Sequence, residues 1–364
     1  MSCSHPLKAF PVGLYPSGKT KYKICSYDIN HVEILENGSV VPCTVPDRGG
    51  YCKRYIKDFV EIPCGKCMSC RLAYSREWAN RCLLELEYHK SAYFVTITYD
   101  DWHVPRTYYG NPNTGEALPS MTLCKRDIQL FFKRLRKKFP DQHIRYFGCG
   151  EYGPSTMRPH YHFIIFGLDL NDLKVYSKSS QGYNYFTSKS LEECWSFPVR
   201  SQNGTKQGLY DSPYISTPAG YIVVGEVTWE TCAYTARYMT KKLNGPEAQF
   251  YEDFNLVPPC SFMSRKPGIG RYYYDDHPDL FKHEYINVST PTGGRKFRPP
   301  KYFDRLFDLD EPELSSELKV TRKKMAEASK AAKLAQTDLD YLSYLQVEEN
   351  SLLDRIKSLK RSVF

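Results

Sequence analysis

Arg158-Pro159-His160-Tyr161-His162-Phe163-Ile164-Ile165-Phe166-Gly167 is the stretch on which the fold turns. Phe163 to Phe166 is a short apolar run stopped by Gly167, the pattern of a buried strand. Strand side chains alternate faces, so His160 and His162 share one face and Tyr161 takes the other. Two imidazoles so placed can share one divalent ion while the Phe/Ile run anchors them in a core. The chain has 9 His in 364 residues, and about 0.2 His-x-His pairs are expected by chance. A His pair in a strand is more often structural, so it needs corroboration.

Two ligands are too few for a metal site. Upstream, the segment from His143 to Tyr152 reads as a second strand that ends around Glu151. The loop Gly153-Pro154-Ser155-Thr156-Met157 would join the two strands as an antiparallel hairpin, with Glu151 beside the His pair. A carboxylate with two imidazoles leaves positions open for a phosphate oxygen and water. Such a set suits Mg²⁺ or Mn²⁺.

A second motif follows. Tyr221 to Val227 is an apolar strand, Thr228 can cap a helix, and Gly245-Pro246 ends it. Within that helix Tyr234, Tyr238, Lys241 and Lys242 stand at i, i+4, i+7 and i+8, on one face. A phenol, with a pKa of about 10, needs help to attack at neutral pH. A metal that polarises a phosphodiester supplies it, and a lysine can neutralise phosphate or assist the leaving oxygen. Lys241 is the better placed assistant, with Lys242 in reserve. With 30 Tyr, about two or three such i,i+4 pairs are expected by chance. Tyr51/Tyr55 lies in a Cys-rich region and Tyr210/Tyr214 spans Pro213, so only Tyr234/Tyr238 sits in a convincing helix followed by lysines.

The net charge of +9 and pI of about 8.8 fit a polyanionic partner. The segment Lys125 to Lys138 interleaves seven Lys/Arg with Ile128, Leu130, Phe131, Phe132 and Leu135. It reads as an amphipathic helix with its apolar side on a sheet and its basic side available for phosphate or simply for solvent. No apolar run is long enough to span a membrane, and the first residues lack a signal-peptide core, so a soluble, cytoplasmic protein is expected. Its 13 Cys then suggest reduced thiols. Cys64-x2-Cys67-x2-Cys70 is the densest group, and a structural zinc there would take a fourth ligand from Cys43, Cys52, Cys25 or Cys82. An iron–sulfur cluster is the rarer option, and a packed turn before a helix from Leu72 to His89 is the alternative without metal.

The pattern of strands, hairpins and segregated helices predicts an α+β fold with a central antiparallel sheet flanked by helices. The boundaries read as a Cys-rich N-terminal region with a leading helix over 1–88, a core over 89–245, a Pro/Tyr-rich wrap over 246–310 and a helical segment over 311–364. Residues 170–220 read as a long polar insertion within the core.

In combination the motifs resemble the HUH endonuclease superfamily. Phe94-Val95-Thr96-Ile97-Thr98-Tyr99-Asp100 matches its first motif, His160-Tyr161-His162 its second, and Tyr234-x3-Tyr238-x2-Lys241 its third. The tyrosines follow the His motif, the order of replication initiators rather than conjugative relaxases. Pro63-Cys64-Gly65-Lys66-Cys67-Met68-Ser69-Cys70-Arg71, Trp78, Arg81, Gly150-Glu151-Tyr152-Gly153 and Ser264-Arg265-Lys266-Pro267-Gly268-Ile269-Gly270 are similar to the replication initiation proteins of gokushoviruses, small bacterial viruses with circular single-stranded DNA. The similarity covers roughly residues 60 to 275. It implies an RRM-like sheet and rolling-circle initiation in the cytoplasm of an infected bacterium. Tyrosine attack at the viral origin would leave a 5′-phosphotyrosine and a 3′-OH primer, and the strand would later be rejoined. The implied metal ligands are His160, His162 and Glu151, with Tyr234 and Tyr238 as nucleophiles in either order. No Gly-x4-Gly-Lys-Ser/Thr is present, so a host helicase and the host replication machinery are the expected partners beside the DNA. A zinc-stabilised single-stranded DNA-binding protein that does not cut is the alternative. A hydrolase of small phosphoesters with alternating histidines would want His at position 164, where this chain has Ile164.

Overall fold

The computed structural model describes residues 3–43, 52–178, 182, 184–200, 214–238, 245–290 and 293–358. The chain divides into two compact units, Met1–Ala73 with Ser316–Val363, and Tyr74–Ser315.

The second unit is built on a seven-stranded sheet. Its spatial order is Leu173–Lys178, Asn184–Ser188, Ile222–Glu226, Ala92–Thr98, Pro159–Phe166, Arg145–Tyr152 and Cys260–Met263. Every neighbouring pair is antiparallel, as the α+β reading expects. Below, Ala92–Thr98 is the central strand, Arg145–Tyr152 the glutamate strand and Pro159–Phe166 the histidine strand. With Ile222–Glu226 as fourth in chain order, these inner strands lie in the order 4-1-3-2.

The period of two in the histidine strand sorts the core into two faces. Tyr161, Phe163 and Ile165 join Val95 and Ile97 on one face, against Ile128, Phe131, Phe132 and Leu135 of the basic helix Lys125–Lys138. Ile164, Phe166 and Phe147 take the other, against Trp78, Ala79 and Cys82 of the helix Met68–Leu86 and Cys232, Ala233 and Ala236 of the helix Trp229–Tyr238. Burying each large apolar side chain contributes about 1.5–3 kcal/mol, so the alternation is strongly enforced. Tyr161 is wholly buried, and its hydroxyl accepts from the Cys124 N–H (2.8 Å) and donates to the Cys124 carbonyl (3.0 Å). It therefore pins the start of the basic helix. Glycine is required opposite these rings: a Cβ at Gly148 would stand 2.2 Å from the Phe163 ring and 2.4 Å from the His162 carbonyl oxygen.

Several expectations need correction. Residues 170–220 are not an insertion, because Leu173–Lys178 and Asn184–Ser188 extend the core sheet and Lys189–Cys194 is a short helix. Their exposed, polar composition hides the strand signal. The segment after 245 does more than wrap, since Cys260–Met263 is an edge strand of the same sheet. The leading helix starts at Met68, not Leu72.

In the first unit the N-terminal region is more regular than its Pro/Gly content suggests. It forms two three-stranded antiparallel sheets, Thr20–Cys25/Leu7–Leu14/Val60–Ile62 and Val40–Cys43/His31–Leu35/Cys52–Ile56. The C-terminal segment forms two helices, Pro312–Leu334 and Tyr341–Ser358. They dock within their unit: Glu61 receives Lys330 Nζ at 2.9 Å and the Tyr341 hydroxyl at 2.6 Å, and His5 meets Glu349 at 2.8 Å. Among the described residues, no helix is long and apolar enough to cross a membrane.

Candidate active site

Antiparallel pairing sets Glu151 opposite His160, and Thr98 and Thr96 opposite His160 and His162. The hairpin thus brings the three expected ligands together: one donor atom from each of Glu151, His160 and His162 lies within 4.8 Å of the others. Glu151 and His162 are buried, while His160 is half-buried and opens the group to solvent.

The hydrogen bonds orient both rings. His160 Nδ1 faces the Arg158 carbonyl at 3.1 Å, and a carbonyl only accepts, so Nδ1 carries the proton. The lone pair of the neutral ring then sits on Nε2, which points at Glu151 Oε1, 2.9 Å away. Two acceptors facing one another call for a cation between them, either a proton or a metal ion. His162 Nδ1 bonds the Thr96 hydroxyl at 3.0 Å, and its Nε2 stands 3.6 Å from the same Glu151 oxygen. Both Nε2 atoms therefore converge on one carboxylate. A divalent cation fits this donor set.

The helix Trp229–Tyr238 brings a phenol to this group. Its start is held by a reciprocal bond pair: Thr228 Oγ1 accepts from the Thr231 N–H, and the Thr231 hydroxyl accepts from the Thr228 N–H. Small buried residues, Cys232, Ala233, Thr235 and Ala236, let it lie close on the sheet. Cys149 Sγ donates to the Thr235 carbonyl at 3.4 Å, and the Ser75 hydroxyl to that of Ala233 at 2.8 Å. Tyr234 consequently packs edge-on against His162, with ring centroids 5.7 Å apart, and against Phe94 at 6.1 Å. Phe94 in turn stacks on His162. Burial pushes the Tyr234 phenol up, the Glu151 carboxylate adds to the rise, and the Arg237 guanidinium opposes it. The phenol is protonated at neutral pH. Tyr238 closes the helix, but its side chain lies outside the described residues, as do Lys241 and Lys242.

The basic helix covers the sheet face opposite to the histidines. Lys125, Arg126, Lys133, Arg136, Lys137 and Lys138 are exposed there. Any phosphate they bind lies away from the Glu151–His160–His162 group.

Cys64, Cys67 and Cys70 also come together, but the fourth thiol is Cys3. Cys25 is packed in an apolar cluster with Phe10 and Val32, Cys43 lies with His31 and Glu33, and Cys82 is buried with Cys232; the Cys52 side chain is outside the described residues. The signal for Cys3 is not local, since it depends on Leu7–Leu14 pairing with Val60–Ile62. The roles of Thr96 and Phe94 in holding His162 were likewise not legible from spacing.

The chain is 33% identical over 307 residues to the replication-associated protein ORF2 of Spiroplasma virus 4, covering 82% of this chain and 85% of that protein. It belongs to the replication-associated proteins of the gokushoviruses. A family model described as replication-associated protein ORF2 matches residues 92–243 of this gokushovirus chain, the span from the central strand past the tyrosine helix. The replication-associated protein VP4 of Bdellovibrio phage phiMH2K is 28% identical over 278 residues, 73% of this chain and 75% of that protein. The replication-associated protein ORF4 of Chlamydia phage 1 is 28% identical over 205 residues, 54% of this chain and 42% of that protein. No solved structure matches. Trp78, Arg81 and Ser264–Gly270, which carried part of the gokushovirus resemblance, meet in this fold. Arg81 donates twice to the Ile269 carbonyl (3.1 and 2.9 Å) and stacks on Trp78. Glu85 accepts the Gly270 N–H at 2.6 Å, pairs with the buried Arg145, and is met by His89 at 3.1 Å. Those motif residues clamp a loop rather than line the site.

Proposed function

We propose that this protein initiates rolling-circle replication by cutting one strand at the viral origin through tyrosine attack. The observation that carries the reading is the edge-on packing of Tyr234 against His162, within the group that Glu151 and His160 complete. The 4-1-3-2 order of the inner strands supports an RRM-like, HUH-type core within residues 89–245. Membership of a family named for replication supports the same role.

Glu151, His160 and His162 would hold Mg²⁺ or Mn²⁺. Bound there, the ion would polarise the scissile phosphate and offset charge that builds up in the transition state. Thr96 and the Arg158 carbonyl orient the two imidazoles so that both Nε2 atoms face the cation. Tyr234 Oη attacks phosphorus, the P–O3′ bond breaks, and the proton lost by the phenol ends on the departing 3′-oxygen. The products are a 5′-phosphotyrosine and a 3′-OH. Reversal, with a 3′-OH attacking the phosphotyrosine, rejoins a strand without an external energy source. Tyr238 is the second nucleophile and Lys241 the cationic assistant. A host helicase supplies unwinding, and the reaction takes place in the infected bacterial cell.

His160→Ala tests this directly. The variant should fail to cleave a single-stranded origin oligonucleotide in Mn²⁺ while binding it about as well as the parent. A His160→Ala protein that cleaves would remove the metal group from the mechanism.

A further inference from the structure

We propose that Cys3, Cys64, Cys67 and Cys70 form a tetrathiolate site for one structural Zn²⁺. This goes beyond the strand-cutting reading and does not depend on it. The thiol group belongs to the first unit, the Glu151–His160–His162 group to the second.

The sulfur geometry argues for a single ion. Zn–S bonds of about 2.3 Å in a tetrahedron place sulfurs about 3.8 Å apart. Cys3 Sγ and Cys67 Sγ are 3.8 Å apart, and all four sulfurs lie within 4.8 Å of one another. Sulfurs so close leave no room for a polynuclear iron–sulfur cube.

The backbone is arranged for thiolates rather than packed thiols. Gly65 takes a φ of +73°, which turns the chain so that the N–H groups of Lys66 and Cys67 both point at Cys64 Sγ (3.4 and 3.3 Å). The Cys64 N–H points at Cys3 Sγ (3.2 Å). N–H donors aimed at sulfur stabilise the charged ligand form. Cys70 stands in the first turn of the helix Met68–Leu86, and Ser4 and Ser69 hydroxyls meet beside the group at 3.3 Å. The antiparallel pairing of Leu7–Leu14 with Val60–Ile62 delivers Cys3 across 61 positions of sequence. The ion would thus close a long loop and tie the N-terminal segment to the head of the leading helix.

The full chain, purified without chelators, should contain about one zinc per molecule by elemental mass spectrometry. Cys3→Ser should lose most of it, while Cys43→Ser and the double variant His160→Ala/His162→Ala should keep it. Exchange of the unmutated chain into Co²⁺ should give the intense sulfur-to-metal charge-transfer and ligand-field bands of a tetrahedral four-sulfur site, a readout that needs no variant to fold. A zinc-free parent, iron in place of zinc, a Co²⁺ spectrum lacking the four-sulfur bands, or a Cys3→Ser protein that retains its zinc would each overturn the assignment.

Discussion

Thr96 and Tyr161 are neighbours across the sheet ladder with opposite duties, because one-residue steps along a strand change face. Thr96 holds His162 through Nδ1, so it is a positioning residue. Thr96→Val should weaken Mn²⁺ binding about 10–100-fold, with cleavage largely recovered at saturating metal, and Thr96→Ser should restore binding. Metal titration of the cleavage rate reads this out; a Thr96→Val protein with unchanged metal dependence would contradict it. Tyr161 faces away from the site, and its hydroxyl satisfies both backbone groups of Cys124. Tyr161→Phe leaves those groups buried without a partner, so it should cost about 1–3 kcal/mol in urea unfolding. The metal dependence of cleavage should not move. The bulky middle residue of the His-x-His motif thus acts through stability. At the nucleophiles, Tyr234→Phe with Tyr238→Phe should abolish the covalent adduct. Each single variant should lose either initiation or strand transfer, and full activity in both would exclude two-tyrosine chemistry.

Among elements, the leading helix Met68–Leu86 is the one whose loss would loosen the site from behind. Glu85 lies at its core. Burial pushes this carboxyl up, but hydrogen bonds from His89, Arg145 and the Gly270 N–H outweigh burial and hold it below its ordinary value of 4.5. A carboxyl depressed in the folded state adds stability that is complete above about 4.5, its unfolded value, and is lost as pH falls through the lower folded value. Urea unfolding followed from pH 7 down to about pH 3 should show that loss in the parent and a shallower one in Glu85→Gln. At neutral pH the variant should be about 3–5 kcal/mol less stable, because Arg145 is left buried without its carboxylate. Equal acid sensitivity of parent and variant would remove Glu85 from the acid response. The elements most legible in the sequence were those with a clean period: the histidine strand with Phe163–Phe166, the basic helix, and the Thr228-capped tyrosine helix. From these, Glu151, His160 and His162 could be placed together, because one hairpin register decides all three. The strands Leu173–Lys178 and Asn184–Ser188 escaped because exposed side chains on edge strands carry no alternation. Cys3 escaped because its neighbourhood is made by pairing between distant segments.

At the scale of the whole molecule, charge and chemistry sit on different faces of the sheet. The net charge of +9 supports binding to DNA, and the exposed lysines of the basic helix are on the face away from the histidines. Lys125→Ala/Lys133→Ala/Lys137→Ala should weaken origin binding and flatten its salt dependence, each lost phosphate contact lowering the slope by about 0.7–0.9. Cleavage of a short single-stranded oligonucleotide at saturation should keep its rate; if the rate falls instead, the basic helix reaches the cutting site. The central claim is that a tyrosine beside the Glu151–His160–His162 group becomes joined to DNA. The most direct test incubates the purified protein with Mn²⁺ and a single-stranded oligonucleotide spanning the origin, with EDTA as control. Denaturing gels and peptide mass spectrometry then locate any adduct. The account predicts a metal-dependent 5′-phosphotyrosine on Tyr234 or Tyr238, with a free 3′-OH on the other fragment. Tight binding with no adduct, on single-stranded and supercoiled DNA alike, would contradict it and leave a protein that holds DNA without cutting it.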